Sequence, residues 1–353
     1  MFNLPATLPE VPMRFWRSLS GFSVRPGIVD FHGDGFERHL APRRGALKDL
    51  REGLISFDAE LAANGITTAM LAQFWSWEGG MRGPDFARRL AAALAECKGT
   101  LYTRMAIQLR VETHMIEDFD AIVDFVAEAG IRHVVFNDHL PHKALSSGKT
   151  PPRLNGQALK AGRSPDAHWA LLRQLHANGP RVEGAVDELA RRLTALGVSI
   201  GSHDDQSAAQ RVSFRAMGAT LAEFPETEEA LNAARAGGDT IILGAPNVVR
   251  GGSHKSGISA VNAVRAGLCD VLVSDYHYPS LKGAALLLEK EGIVAWPMIS
   301  AVPARALGFS DRGELAVGQL SDLTVLDDSG RVVGTMVGGK WSYLTAQLLE
   351  AMS

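Results

Sequence analysis

Eight short apolar, β-branched runs punctuate the chain, at residues 27–31, 66–74, 103–111, 133–137, 198–202, 219–224, 240–245 and 270–274. Runs of this length and composition predict strands. Between them lie segments whose apolar residues recur at the helical period, among them 85–97, 116–129, 182–196, 206–217, 226–236 and 259–266. Several of the intervening helices are followed by a glycine, such as Gly65, Gly130 and Gly197, the residue that best accepts the left-handed conformation closing a helix. Strands in regular alternation with helices predict an α/β protein. Eight such units fit a closed (β/α)8 barrel, the TIM barrel, better than a doubly wound open sheet.

Composition narrows the function. With 353 residues, 46% of them hydrophobic, the chain can bury a large core. A net charge of −3, with acidic and basic residues spread along the whole length, makes no case for a nucleic-acid or membrane partner. An anionic substrate must therefore be held by local charges. Cys97 and Cys269, the two cysteines, stand far apart and outside any Cys-x-x-Cys pair, so neither a disulfide framework nor a thiolate metal site is expected. The N-terminus has no basic-then-apolar signal pattern, and no run of about 18 uncharged apolar residues occurs, so the expected location is the cytoplasm.

The chemistry gathers where the predicted strands end. The first ends in His32 and Asp34, the third in Glu112 and His114, the fourth in Asn137, Asp138 and His139. The fifth runs through Ser202, His203, Asp204 and Asp205, the sixth carries Glu223 inside an apolar run, and the eighth ends in Ser274, Asp275 and Tyr276. In a (β/α)8 barrel the carboxyl ends of the strands form the active site. A carboxylate at that depth is costly unless it is paired or bound to a metal. Residues i and i+2 of a strand point to one side, so His32 and Asp34 can reach a common point. A mixed imidazole and carboxylate set suits zinc, manganese or iron and is poor for calcium, which takes oxygen ligands.

A metal-bearing barrel with a His-x-Asp after strand one, a His after strand five and an Asp after strand eight resembles the amidohydrolase superfamily. Longer strings are more specific: SHDD at 202–205, AEFPET at 222–227, GAPNVVRGGSHKSG at 244–257 and SDYHYPSL at 274–281. They resemble the α-D-ribose 1-methylphosphonate 5-triphosphate diphosphatase family of the carbon–phosphorus lyase pathway, over residues 26 to 327.

The resemblance implies one or two divalent ions, zinc first and manganese or iron as alternatives. His32 and Asp34 would hold one metal, Glu112 would be a shared ligand, and His203 would hold the second. Asp275 would bind metal and accept the proton of the attacking water, while Glu223 stands where many members place another His and would be a ligand or its partner. Water is the implied nucleophile, and no Gly-x-Ser-x-Gly elbow competes with it. The expected substrate is a small anion carrying a phosphoric anhydride. Its contacts would come from Arg250, His254 and Lys255 among the glycines of 246–257, from Arg43 in the basic stretch after strand one, and from Asp138 and His139. The alternative is an amidohydrolase acting on a carbon–nitrogen or ester bond.

The family also carries a small β-sandwich built from both chain ends. Here the barrel is expected over 26–308, with 1–25 and 309–353 forming a partial sandwich. From Gly313 the sequence alternates strand and turn signals, whereas the first 25 residues read as irregular. The Ser-, Gly-, Pro- and Lys-rich stretch 146–166 is expected to be a mobile flap or poorly ordered. Self-association is compatible with the sequence but not required by it.

Overall fold

The computed structural model describes residues 19–41, 49–251 and 258–353. The described chain enters through a short strand, β1 (Ser23–Pro26), and then builds a parallel sheet. That sheet contains β2 (Ile28–Gly33), β3 (Ile66–Trp75), β4 (Arg104–Glu112), β5 (His133–Asn137), β6 (Ser199–His203), β7 (Leu221–Glu223), β8 (Thr240–Gly244) and β9 (Val271–Val273). Each strand pairs in parallel with the next, in the order β2 to β9. A parallel bridge between Gly33 and Asp275 returns the last strand to the first. The sheet is the eight-stranded α/β barrel, and its closure leaves no edge to pair with another chain.

Helix starts differ from the periodicity-based expectation for a local reason. The helices Ala208–Ala216, Glu228–Ala236 and Ala260–Arg265 are preceded by Ser207, Thr227 and Ser259 in extended conformation. Each hydroxyl accepts a hydrogen bond from the backbone N–H three residues on, at 3.2, 3.1 and 3.3 Å. Capping residues lie just outside the helix they start. At Gly65 (φ 81°) a Cβ would meet the Thr324 side chain at 2.5 Å, so the helix end there needs both the left-handed conformation and the absence of a side chain. Thr324 Oγ1 donates to the Gly65 carbonyl at 2.8 Å, tying the barrel to the second sheet.

That second sheet is antiparallel, with β1 paired to β10 (Leu323–Leu326), then β11 (Val332–Val337) and β12 (Lys340–Leu344). Among the described residues the small domain is therefore one four-stranded sheet to which the N-terminal part contributes β1. The base of the barrel is filled by Phe31, Leu221, Ile242, Val271 and Val273. Each fully buried side chain of that kind contributes about 1.5–3 kcal/mol. This apolar plug supports a polar layer above it, in which Asp30, Gln108, His133 and Glu223 are all buried.

The stretch expected to be a flap is helical instead. The helices His142–Ser146, Leu154–Lys160 and Pro165–Ala177 pack into a small apolar cluster of Trp77, Leu140, Leu145, Leu154, Leu172 and Leu175. Arg163 Nη1 donates to the Trp77 carbonyl at 2.6 Å, and Ser164 caps the last of the three helices. Of the leucines in that cluster only Leu154 lies inside the stretch; Leu140, Leu145, Leu172 and Leu175 lie outside it, so its own polar composition conceals the packing.

Candidate metal centre

Strand alternation sends every second side chain into the barrel. From β4 this places Gln108, Arg110 and Glu112 on one side, and all three are buried. β2 contributes His32, β5 His133, β6 His203 and β7 Glu223. Ligand-capable atoms of His32, His203 and Glu223 lie within 4.8 Å of one another. A second group joins His139, His203 and Asp204, and a third joins Glu78, Glu112 and His139, so the three share members and form one row across the mouth.

Two of the histidines are oriented by carboxylates. Glu223 Oε2 lies 2.8 Å from His32 Nδ1. An ionised carboxylate only accepts, so Nδ1 must carry the proton, which leaves His32 Nε2 as the lone pair available to an ion. Glu223 Oε1 is taken by Gln108 Nε2 at 2.7 Å and His133 Nε2 at 3.3 Å. Burial alone would raise the Glu223 carboxyl, but His32 and His133 outweigh it and hold it well below the ordinary range. The same device recurs at His139, whose Nδ1 donates to Glu112 Oε1 at 2.6 Å while its backbone N–H donates to Oε2 at 3.1 Å. Burial depresses the His139 imidazole, and the bond to Glu112 more than restores it.

His203 sits between these pairs, its ring 5.4 Å from that of His32 and 6.4 Å from that of His139. Arg110 Nη2 donates to His203 Nε2 at 3.0 Å and to Asn137 Oδ1 at 2.9 Å. Burial, then Arg110, push His203 down to about 4, so the imidazole is neutral, as a metal ligand must be. Its Nδ1 is buried and lies 3.2 Å from Asp204 Oδ1 without a hydrogen bond.

Three strand ends carry a strained turn. Asp204, Phe224 and Asp275 have φ of 61°, 51° and 55°. Left-handed backbone costs a non-glycine residue about 1–3 kcal/mol and is concentrated at functional sites. Each of the three still donates its N–H to a neighbouring strand: Asp204 to Glu223 O, Phe224 to Ile242 O and Asp275 to His32 O, at 3.0, 2.9 and 3.0 Å. The ladder thus runs one residue past each strand and then turns sharply. Burial, then the nearby Asp34 carboxylate, raise Asp275 to about 6. Asp34 donates its backbone N–H to the Asp275 carbonyl at 2.8 Å.

The donors fit a divalent ion. They combine neutral imidazole with an excess of carboxylate, and the His203 ring stands at the centre of the row. The same structure separates the expected residues. His32, His203 and Glu223 meet, Glu112 meets His139, and Asp34 and Asp275 face each other beside them without joining a ligand group. Asp138 turns to the other side of its strand end, toward His142. Arg250 ends the helix Ala245–Arg250, is exposed, and donates to Asn247 Oδ1 at 2.9 Å. His254, Lys255 and Arg43 lie outside the described residues. Arg38, in the basic stretch after strand one, is ion-paired with Glu60. Arg110, Gln108, His133 and Glu78 were not foreseen, although the period-two placement of Gln108 and Arg110 before Glu112 is a readable signal.

No family model matches the chain. It is 27% identical over 309 residues to the alpha-D-ribose 1-methylphosphonate 5-triphosphate diphosphatase of Escherichia coli (strain K12), covering 85% of this chain and 82% of the relative. This similarity supports the resemblance to the amidohydrolase superfamily that the strand-end residues carry. The chain's fold is shared with N-acetylglucosamine-6-phosphate deacetylase from Pasteurella multocida, with a TM-score of 0.58, 12% identity and 92% and 87% of the two chains covered. Beta-aspartyl dipeptidase from Fervidobacterium islandicum AW-1 gives a TM-score of 0.54, 15% identity and coverage of 92% and 85%. The chain is a metal-dependent hydrolase acting on a small molecule. Among its described residues no helix is long and apolar enough to cross a membrane.

Proposed function

We propose that this hydrolase cleaves a phosphoric anhydride, converting α-D-ribose 1-methylphosphonate 5-triphosphate to the 5-phosphate and diphosphate in the cytoplasm. The observation that carries the substrate assignment is the 27% identity to a diphosphatase of that name across 85% of the chain. The site supports it through the histidine row. His32, His203 and His139 would hold one or two ions, with Glu223 and Glu112 fixing the first and last of them. Both Glu223 oxygens are engaged by protein donors, which favours an orienting role for Glu223 over direct ligation. A divalent ion at this site supplies acidified water and a positive charge opposite the phosphoryl oxygens.

The chain's own residues do the rest. Asp275, raised to about 6 by burial and Asp34, is basic enough near neutral pH to accept the proton of the attacking water. Its left-handed turn and the Gly33 bridge fix that carboxylate at the closing seam of the barrel. Arg110 is a buried cation that touches His203 and can compensate charge developing on the substrate. Arg250, His254 and Lys255 would grip the outer phosphates.

The metal-loaded enzyme, given a ribose 5-triphosphate, a nucleoside triphosphate and an N-acyl amino acid, is expected to release diphosphate from the first far faster than it hydrolyses the others. Turnover of the N-acyl amino acid alone would transfer the assignment to amide chemistry.

A further inference from the structure

A second group of histidines lies outside the row just described, on the opposite side of the same two strand ends. After β4, Glu112 bonds to His139 of the row while His114 reaches Asp138, which follows β5. The helix His142–Ser146 then brings His142 Nε2 to 2.8 Å from Asp138 Oδ2 and 3.0 Å from Oδ1. His114 Nδ1 reaches the same carboxylate at 3.6 Å, and the rings of His114 and His142 are 4.8 Å apart. Ligand-capable atoms of His114, Asp138 and His142 fall within 4.8 Å of one another.

We infer that His114, Asp138 and His142 form an auxiliary site for a divalent transition ion such as zinc, separate from the catalytic row. In the structure His142 Nε2 is hydrogen-bonded to the Asp138 carboxylate, and the second imidazole stands beside it. A cation in place of that hydrogen bond would need the three donor atoms about 3.3 Å apart, as follows from tetrahedral bonds of about 2.0–2.1 Å. The two separations to Asp138, 2.8 and 3.6 Å, bracket that value, and the ring nitrogens of His114 and His142 lie within 4.8 Å of each other. Two nitrogens and one carboxylate oxygen leave the fourth position to water, which the exposed side of His142 admits.

The surroundings are those of a ligand histidine. A metal-bound His donates its other ring N–H to a fixed acceptor. His142 Nδ1 is 2.9 Å from His176 Nδ1, and His176 Nε2 is in turn 3.4 Å from Ser146 Oγ. His176 sits at the end of the helix Pro165–Ala177, so it is a positioning residue, and the assembly links two helices of the 142–177 insertion to the barrel. Asp138 and His142, with Lys143 and Lys149, also line a cavity of about 870 Å³ whose other wall carries His203 and Asp204. The auxiliary ion would thus fasten one wall of the cavity that opens on the catalytic row.

The test is a zinc titration of the chelator-stripped full-length protein, with bound metal measured by equilibrium dialysis. The parent is expected to bind one equivalent more than His142→Ala, and Asp138→Asn to hold that equivalent at least about a hundredfold more weakly. His32→Ala and His203→Ala should retain it, which separates failure of this site from failure of the catalytic one. Equal stoichiometry and affinity in parent and His142→Ala would overturn the inference. If His142→Ala misfolds, His176→Ala decides: it removes no ligand and should weaken the same equivalent about 10–100-fold. Zinc should also slow hydrogen exchange of residues 142–146 and 165–177 in the His203→Ala protein, and unchanged exchange there would count against the site.

Discussion

The two histidine clusters at the barrel mouth use neighbouring residues of the same strand ends, yet they are built in different media. In the inner row His32 and Glu223 are 1% and 0% exposed, and their partners come from strands of a closed sheet. In the outer group Asp138 and His142 are 29% and 38% exposed while His114 is buried, and His142 and its partner His176 come from a helical insertion. Burial makes each unpaired charge expensive inside, and both oxygens of Glu223 and of Glu112 are engaged, which holds His32 and His139 in place. Water relieves the outer group, so it can be assembled and dismantled at little cost. The difference predicts where perturbations will be large.

The largest effect is expected inside. Removal of all metal should abolish turnover. Asp275→Asn should lower kcat at least about a hundredfold while metal content and fold persist, because an amide cannot take up the proton. A kcat within about tenfold of the parent, with metal bound, would reduce Asp275 to a ligand. Next come the orienting carboxylates. Glu223→Gln and Glu112→Gln should each weaken metal binding by about 10–100-fold, as a zinc titration against a competing chelator would read. If Glu223→Gln abolished binding altogether, Glu223 would be a ligand rather than the support of His32.

Smaller effects belong to the periphery. Arg250→Ala and Lys255→Ala should each cost about tenfold in kcat/KM on a triphosphate, about 1.4 kcal/mol, by losing a charge-assisted phosphate contact. A flat response in both would favour a neutral substrate. A chelator added slowly should strip the exposed outer ion first, leaving activity measurable until the inner ions go. Simultaneous loss would erase the contrast between the two clusters.

The barrel was legible because its strands are short apolar runs between helix-period segments, and β5 falls on the predicted residues 133–137. His32, Glu112, His203 and Glu223 were legible because polar residues at the ends of apolar runs have no structural need to be there. Arg110 was not singled out, since a basic residue within a strand looks like a solvent-facing position until the closed sheet turns it inward. The histidine–carboxylate pairing also escaped, because Glu223 and His32 are 191 residues apart and only the closed barrel brings them together. His142 and His176 lie on helices whose apolar anchors are dispersed from Trp77 to Leu175, so their meeting depends on packing that local composition does not encode.

The central claim is that the inner row is the metal centre, and anomalous diffraction from crystals of the zinc-loaded protein tests it most directly. The account predicts a peak about 2.0–2.2 Å from a ring nitrogen of both His32 and His203, with Glu223 still bonded to His32 Nδ1. Zinc bound elsewhere, with His32 and His203 free of metal in crystals of fully active enzyme, would contradict it.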